Sequence, residues 1–156
     1  MNAAWGGIYT DETIGICISE DHKTTKNILQ TKAFTVSMGT ADTVAACDYV
    51  GIVSGTDVPD KMEKAGFHTT KSEFVNAPLI DELPMALECK LVSYDKSTGY
   101  MIGEIVNISA DESILNESGN VDPFKLKPIT YDPMNHLYLA LGEQVGIAYQ
   151  EGKKLK

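Results

Sequence analysis

Two runs of strand-forming residues joined by a short turn constrain the fold of this chain more than any other segment. Residues 85–92 alternate apolar and polar side chains, a pattern typical of a strand with one buried face. Residues 96–99 form a predicted turn, and residues 100–108 make up the longest strand candidate of the sequence. The sequence therefore predicts an antiparallel hairpin whose apolar side chains face inward, while Glu88 and Lys90 face outward.

Shorter elements surround the predicted hairpin. An apolar run rich in β-branched residues predicts a strand over 13–19, and apolar periodicity predicts a strand over 33–38 and helices over 23–30 and 41–51. Acids followed by lysines predict a third helix over 57–65. Asp21 is the predicted N-cap of the first helix, and Gly66 is the predicted C-cap of the third. Strands dominate, and most are close enough in sequence to pair antiparallel with a neighbour. We therefore expect a mainly β domain spanning 1–156, a small β-barrel with short helices.

The charge balance argues against several classes of partner. The chain has 13 lysines, no arginine and 22 acidic residues, which give a net charge of −9 at pH 7. Such a field repels nucleic acid phosphates and anionic lipid surfaces. No stretch reaches the roughly 18 to 20 apolar residues of a membrane span. The N-terminal sequence also lacks the basic start and apolar run of a secretory signal. We therefore expect a cytoplasmic protein that binds neither nucleic acid nor membranes.

Residue types that often carry chemistry are scattered along the chain. Cys17, Cys47 and Cys89 lie far apart in apolar stretches and are predicted to be buried, reduced thiols. The three histidines are equally dispersed, so we expect no metal site. The sequence also lacks the G-x-S-x-G, P-loop, G-x-G-x-x-G and H-E-x-x-H motifs. No self-contained catalytic signature is therefore present.

Two features near the start of the chain suit a phosphate and a flat ring. Thr24 and Thr25 lie at the predicted start of the first helix, where free N–H groups and the helix dipole favour an anion. Lys23, Lys26 and Lys61 are candidates to add positive charge. Trp5, the only tryptophan, stands between small residues that allow a ring to approach. Each feature also has an ordinary structural explanation, because threonine often caps helices and tryptophan often anchors a core or an interface.

The order of segments along the whole chain resembles that of a known family. The series comprises AAWGG at 3–7, HKTTKNI at 22–28, FTVS at 34–37, YVGIVSG at 49–55, DKM at 60–62, AG at 65–66, APLI at 77–80, LECK at 87–90, IGEI at 102–105, LKPI at 126–129 and YLALG at 138–142. In this order the segments resemble the flavin reductase-like family, the FMN-binding split barrels, and the flavoredoxins within it.

The resemblance implies a split-barrel homodimer that binds FMN without a covalent bond, near the subunit interface. It places Ala4 and Trp5 beside the flavin ring, Ser19 along the ribityl chain, Thr24 and Thr25 with Lys61 at the phosphate, and Tyr100 and Tyr131 near the ring. His22 stands where many family members have an arginine. Relatives usually have another strand or two before the segment at 3–7. The resemblance therefore implies an open sheet edge, covered by a partner or by residues that precede this sequence.

The resemblance implies a redox function and leaves its electron donor open. One hypothesis is an NAD(P)H-dependent flavin reductase that passes electrons to free flavin or to a partner protein. The alternative is a flavoredoxin-type electron carrier that does not bind nicotinamide. A third hypothesis is a degenerate relative that serves as a non-catalytic scaffold. The sequence lacks a dinucleotide fingerprint, but the absence discriminates little because this fold does not use one.

Overall fold

A computed structural model of the chain describes residue 1 and residues 4–155. Within them the strands are β1 (Trp5–Thr10), β2 (Thr13–Cys17), β3 (Ala33–Ser37), β4 (Thr69–Lys71), β5 (Pro78–Ile80), β6 (Met85–Asp95), β7 (Tyr100–Ala110), β8 (Ile129–Asp132) and β9 (Leu137–Ala140). The α-helices are α1 (Lys23–Thr31), α2 (Val44–Ile52), α3 (Lys61–Lys64) and α4 (Pro123–Leu126), and 3-10 turns cover Ala41–Thr43, Glu112–Ile114 and Glu151–Leu155. The mainly β class predicted from the sequence is confirmed.

The predicted hairpin forms the centre of the main sheet. β6 and β7 pair antiparallel over their whole length, and the five-stranded sheet has the order β1-β2-β7-β6-β3. The hairpin prediction is therefore correct. β1 lies at one edge of this sheet, and all six of its residues are exposed. Two separate antiparallel pairs, β4 with β5 and β8 with β9, complete the architecture.

The core lies on the face of the sheet that α1 covers. Its buried members are Ile14, Ile16, Ile18, Ile28, Phe34, Leu87, Cys89 and Met101. Gly103 of β7 provides the space for one of them, because a Cβ there would overlap the Phe34 ring. A second cluster of Val50, Phe67, Ile80 and Leu83 joins α2 to the segment around β4 and β5. These two clusters fix the positions of α1 and α2.

Three predicted helix boundaries are corrected. The N-cap of α1 is His22 rather than Asp21, and no side chain caps this helix within the described residues. The predicted helix over 57–65 is reduced to the four residues of α3, because the backbone from 54 to 60 forms turns instead. The C-cap is Ala65 rather than the predicted Gly66, which follows it with a left-handed φ of +73°.

The outward orientation predicted for Glu88 is wrong. Its side chain is completely buried, on the face of β6 that the segment 72–75 covers. Asn107 Nδ2 and Ser109 Oγ donate to its Oε1 at 2.7 and 2.5 Å, and Ser72 Oγ donates to its Oε2. Burial alone would raise the pKa of Glu88, but these hydrogen bonds together lower it below its ordinary value. The alternation that suggested a solvated face thus belongs to a strand that is covered on both faces over residues 86–89, whereas Lys90 is exposed as predicted.

The cysteines also differ from the prediction. Cys17 is exposed, Cys47 is half-buried and only Cys89 is fully buried; all three are free thiols. Burial, with a smaller contribution from the charge of Glu88, raises the pKa of Cys89 to about 12. Burial also raises the pKa of Cys47. Among the residues that the structure describes, no cluster of His, Cys, Asp and Glu suits a metal ion. No helix in the same part of the chain has the length and apolar character to cross a membrane.

Candidate functional site

The start of α1 presents backbone N–H groups without a side-chain cap. His22 is exposed, and its carbonyl accepts the first helical hydrogen bond, from the N–H of Lys26. The N–H groups of Lys23, Thr24 and Thr25 precede this bond and therefore have no partner in the helix. They point out of the positive end of the helix dipole, an arrangement that attracts an anion.

The two predicted threonines occupy different environments. Thr25 is fully buried, and its hydroxyl donates to the carbonyl of Ser19 at 2.6 Å. Its only hydroxyl proton is therefore not available to a phosphate in this conformation. Thr24 is half-buried, and its hydroxyl makes no hydrogen bond within the described residues. Of the two hydroxyls, that of Thr24 is the one free to donate.

Lys61 is buried in a cage of backbone oxygens. Only 5% of its surface is exposed, and its Nζ donates to the carbonyls of Val50, Val53 and Met1 at 2.7, 2.7 and 2.9 Å. An ammonium group has three protons, so all of them are used. Burial lowers the pKa of Lys61. In this conformation Lys61 therefore has no proton left for the phosphate that the resemblance assigns to it.

Lys23 lies beside this cage, at the surface of the molecule. Its side chain is exposed, and its Nζ makes one hydrogen bond, to the carbonyl of Gly55 at 3.1 Å. A Cβ on Gly55 would lie 3.6 Å from both the Lys23 and the Lys61 side chains, so the two lysines approach the same turn. Lys23 is also the first residue of α1. The turn after α2 is thus connected to the start of α1.

Aromatic side chains gather where β1 meets the β8–β9 hairpin. The rings of Trp5 and Tyr131 are in edge-to-face contact, with centroids 5.7 Å apart. Tyr131 also contacts Tyr138 at 5.6 Å, and its hydroxyl lies 2.7 Å from Nδ1 of His136. Trp5 is 60% exposed, so it is not a core residue of this chain. The structure therefore brings together two of the predicted ring-binding residues that are 126 positions apart.

A hydrogen bond joins this aromatic cluster to the body of the molecule. Tyr138 Oη donates to Asp48 Oδ1 of α2 at 2.7 Å. This bond to the carboxylate, followed by burial, raises the pKa of Tyr138 to about 12. Tyr138 was not among the predicted site residues, and its position beside Tyr131 follows from the direct pairing of these residues in the β8–β9 hairpin.

Tyr100 lies on the same side of the sheet but outside the aromatic cluster. It is half-buried and contacts Tyr9, with ring centroids 6.2 Å apart. Its hydroxyl covers Gly15, where a Cβ would overlap it. The pairing register places Trp5, Cys17 and Tyr100 in one row across β1, β2 and β7. Directly paired residues point to the same face, so Cys17 stands between the two rings.

An open cleft of about 440 Å³ begins beside this row. Residues 17–21 line one side and residues 96–99 line the other. Ser19 is exposed on the first side, and Ala4 is exposed immediately before β1. Cys17 was not predicted as a site residue, although the alternation of TIGICIS, with its three isoleucines inward, places Gly15, Cys17 and Ser19 on the opposite face.

Comparison with known proteins identifies the family. A family model described as "Flavin reductase like domain" matches residues 8–135. The chain belongs to the flavin reductase-like family. An uncharacterized protein of Aquifex aeolicus (strain VF5) is 34% identical over 111 residues, which cover 68% of this chain and 55% of that protein. The uncharacterized protein YdfE of Bacillus subtilis (strain 168) is 28% identical over 96 residues, or 58% of this chain and 45% of that protein. The chain spans about half the length of these curated relatives.

Solved structures confirm the split-barrel fold. Flavoredoxin of Desulfovibrio vulgaris (Miyazaki F) superposes with a TM-score of 0.91 at 34% identity, over 97% of this chain and 83% of that one. Flavoredoxin from Methanosarcina acetivorans gives a TM-score of 0.87 at 27% identity, over 97% and 82% of the two chains. An FMN-binding domain of a flavin reductase-like enzyme from Shewanella baltica has the same fold, with a TM-score of 0.78 at 18% identity over 92% and 78%.

Proposed function

We propose that this chain is an FMN-binding redox protein. The observation that carries the proposal is a continuous path along one end of the sheet. It begins at the ring pair of Trp5 and Tyr131, passes Cys17, which is paired with Trp5, and reaches the cleft at Ser19. From there the Ser19 carbonyl accepts the bond from Thr25 at the start of α1. The flavin ring, the ribityl chain and the phosphate would occupy these positions in that order.

The donor set fits a phosphate at the start of α1. The N–H groups of Lys23, Thr24 and Thr25 and the hydroxyl of Thr24 are suitable donors, and His22 is exposed beside them. The rings of Trp5 and Tyr131 offer the flat apolar surface that a flavin ring needs. Bound FMN would supply the electron-transfer chemistry, while the chain binds and orients it and sets its surroundings.

A flavin titration tests the proposal, with the emission of Trp5 as the reporter. We expect FMN to quench this emission, because Trp5 is the only tryptophan and would lie against the ring. Thr24→Val should weaken FMN binding by about 1–3 kcal/mol, the value of a hydrogen bond to a charged group. Riboflavin, which lacks the phosphate, should bind both proteins equally. Thr70→Val, on the exposed strand β4, is the matched control. The absence of flavin binding would leave the scaffold hypothesis.

The electron donor distinguishes two forms of this function. The first hypothesis is an NAD(P)H-dependent flavin reductase, with free flavin or a partner protein as the acceptor. Similarity to a flavoredoxin at 34% identity over nearly the whole chain supports the alternative, an electron carrier that does not bind nicotinamide. Anaerobic addition of NADH or NADPH to the FMN-loaded protein separates them. Rapid bleaching of the flavin supports the reductase, whereas bleaching only by a reduced partner protein supports the carrier.

We also propose that the functional unit is a homodimer, located in the cytoplasm. The support for the dimer is the exposed apolar side chains after β9: Val145, Tyr149 and Leu155 are almost completely exposed. Exposed apolar side chains that gather into a patch mark protein–protein contact surfaces. Sedimentation equilibrium at micromolar concentration should give twice the mass of the chain, and Val145→Asp should shift the equilibrium toward monomer. A monomeric wild-type protein would contradict this part of the proposal.

A further inference from the structure

The cage around Lys61 closes the end of α2. The last carbonyls of a helix have no partner within it, and Lys61 satisfies those of Val50 and Val53. Its positive charge also lies at the negative end of the helix dipole. Among the described residues no carboxylate contributes to the cage, so the three carbonyl oxygens compensate for burying the ammonium group. Releasing the ammonium group would therefore leave these buried carbonyls unpaired.

The cage also sets the position of a second lysine. Val53, held by Lys61, is two residues from Gly55, whose carbonyl accepts from Lys23. Lys23 uses one of its three protons in this bond and is exposed, so two protons remain for a ligand. Its position as the first residue of α1 places it next to the free N–H groups. Lys23 therefore has the free protons and the position that Lys61 lacks.

On the basis of the proposed function, we propose that Lys23 is the lysine that binds the phosphate of FMN. Lys61 is a positioning residue, which holds the turn on which Lys23 rests. The family resemblance assigns the phosphate to Lys61, so the two assignments predict different results for the same variants. A residue that binds the phosphate contributes to the affinity for FMN but not to the affinity for riboflavin. It does not contribute to the stability of the free protein.

Variants of both lysines separate the roles. Lys23→Gln should weaken FMN binding about tenfold, leave riboflavin binding unchanged and leave the melting temperature of the free protein unchanged. Lys61→Gln should lower that melting temperature by several degrees. If Lys61→Gln lowers FMN affinity, it should cause no further loss in the Lys23→Gln background, because its effect passes through Lys23. Additive losses in this double-mutant cycle would mean that Lys61 contacts the phosphate directly.

Amine labelling of the wild-type protein tests the same assignment without a variant that has to fold. Acetylation with a succinimidyl ester, followed by mass spectrometry, should modify Lys23 readily and Lys61 hardly at all. FMN should protect Lys23 and should leave Lys32, exposed at the other end of α1, equally reactive. Protection of Lys61 by FMN, or unchanged labelling of Lys23 in the FMN complex, would overturn the inference and leave the proposed function intact. A protein that binds no FMN would overturn both.

Discussion

Glu88 and Lys61 are both buried charges, and the described part of the chain places no opposite charge beside either, but their surroundings differ in kind. Two serine hydroxyls and an asparagine amide hold Glu88 between β6, β7 and the segment 72–75. Three main-chain carbonyls hold Lys61, two from the end of α2 and one from Met1. The first cage can be dismantled by changing its side chains, whereas only Lys61 itself can be changed in the second. Glu88 therefore stabilises the sheet, and Lys61 connects segments that the sheet does not reach.

The largest effect is expected from Glu88→Ala. Removing the carboxylate leaves the donors of Ser72, Asn107 and Ser109 unpaired in a buried site. We expect a loss of about 3–5 kcal/mol in the free energy of unfolding, measured by urea denaturation. Glu104→Ala, at an exposed position of β7, is the control and should change it by less than about 0.5 kcal/mol. A small loss in Glu88→Ala would show that water replaces the carboxylate.

A smaller loss is expected from Lys61→Met, which keeps the length of the side chain. The substitution leaves the carbonyls of Val50 and Val53 without their donor, but it also removes the cost of burying a charge. We expect a loss of about 2–3 kcal/mol in the free energy of unfolding. Lys64→Met provides the matched control, because Lys64 forms an exposed ion pair with Asp60, and such pairs contribute little to the free energy of unfolding. A loss larger than that of Glu88→Ala would reverse the comparison.

The smallest expected effect is the part of the pH dependence of the free energy of unfolding that arises from Glu88. Its pKa in the folded protein lies below its ordinary value of 4.5, so the folded state favours the charged carboxylate. The resulting stability is present above pH 4.5 and is lost as the pH falls through the lowered pKa. The free energy of unfolding should therefore decrease more steeply below pH 4.5 in the wild type than in Glu88→Gln. If the urea midpoints of the two proteins changed equally with pH from 3 to 7, this linkage would be contradicted.

The same contrast explains what the sequence could and could not predict. Alternation predicted the β6–β7 hairpin, because the period of two is a local property of a strand. It could not predict the burial of Glu88, because a periodic pattern distinguishes two faces without showing whether a distant segment covers one of them. The cage of Lys61 left no sequence signal, because backbone carbonyls are present at every residue.

In the candidate site, too, local sequence signals predict some features, whereas others depend on segments far apart in the chain. The position of Thr24 at the start of α1 follows from local helix signals. The contact between Trp5 and Tyr131 depends on the path of the whole chain, and only the resemblance to a family placed both residues near one ligand. Cys17 lies in a strand in which every second residue is one of three buried isoleucines, so the alternation places its side chain on the opposite, exposed face. The apolar composition of the segment had suggested burial.

The unequal exposure of the thiols makes the protein easy to modify at one chosen point. Burial raises the pKa of the Cys47 and Cys89 thiols, with the charge of Glu88 adding to the effect at Cys89, whereas Cys17 is open to solvent between the rings of Trp5 and Tyr100. A brief exposure to a maleimide at neutral pH should therefore attach a spin probe or a dye at position 17 without any engineered cysteine. Such a probe would sense motions of the β1 edge in the otherwise native chain.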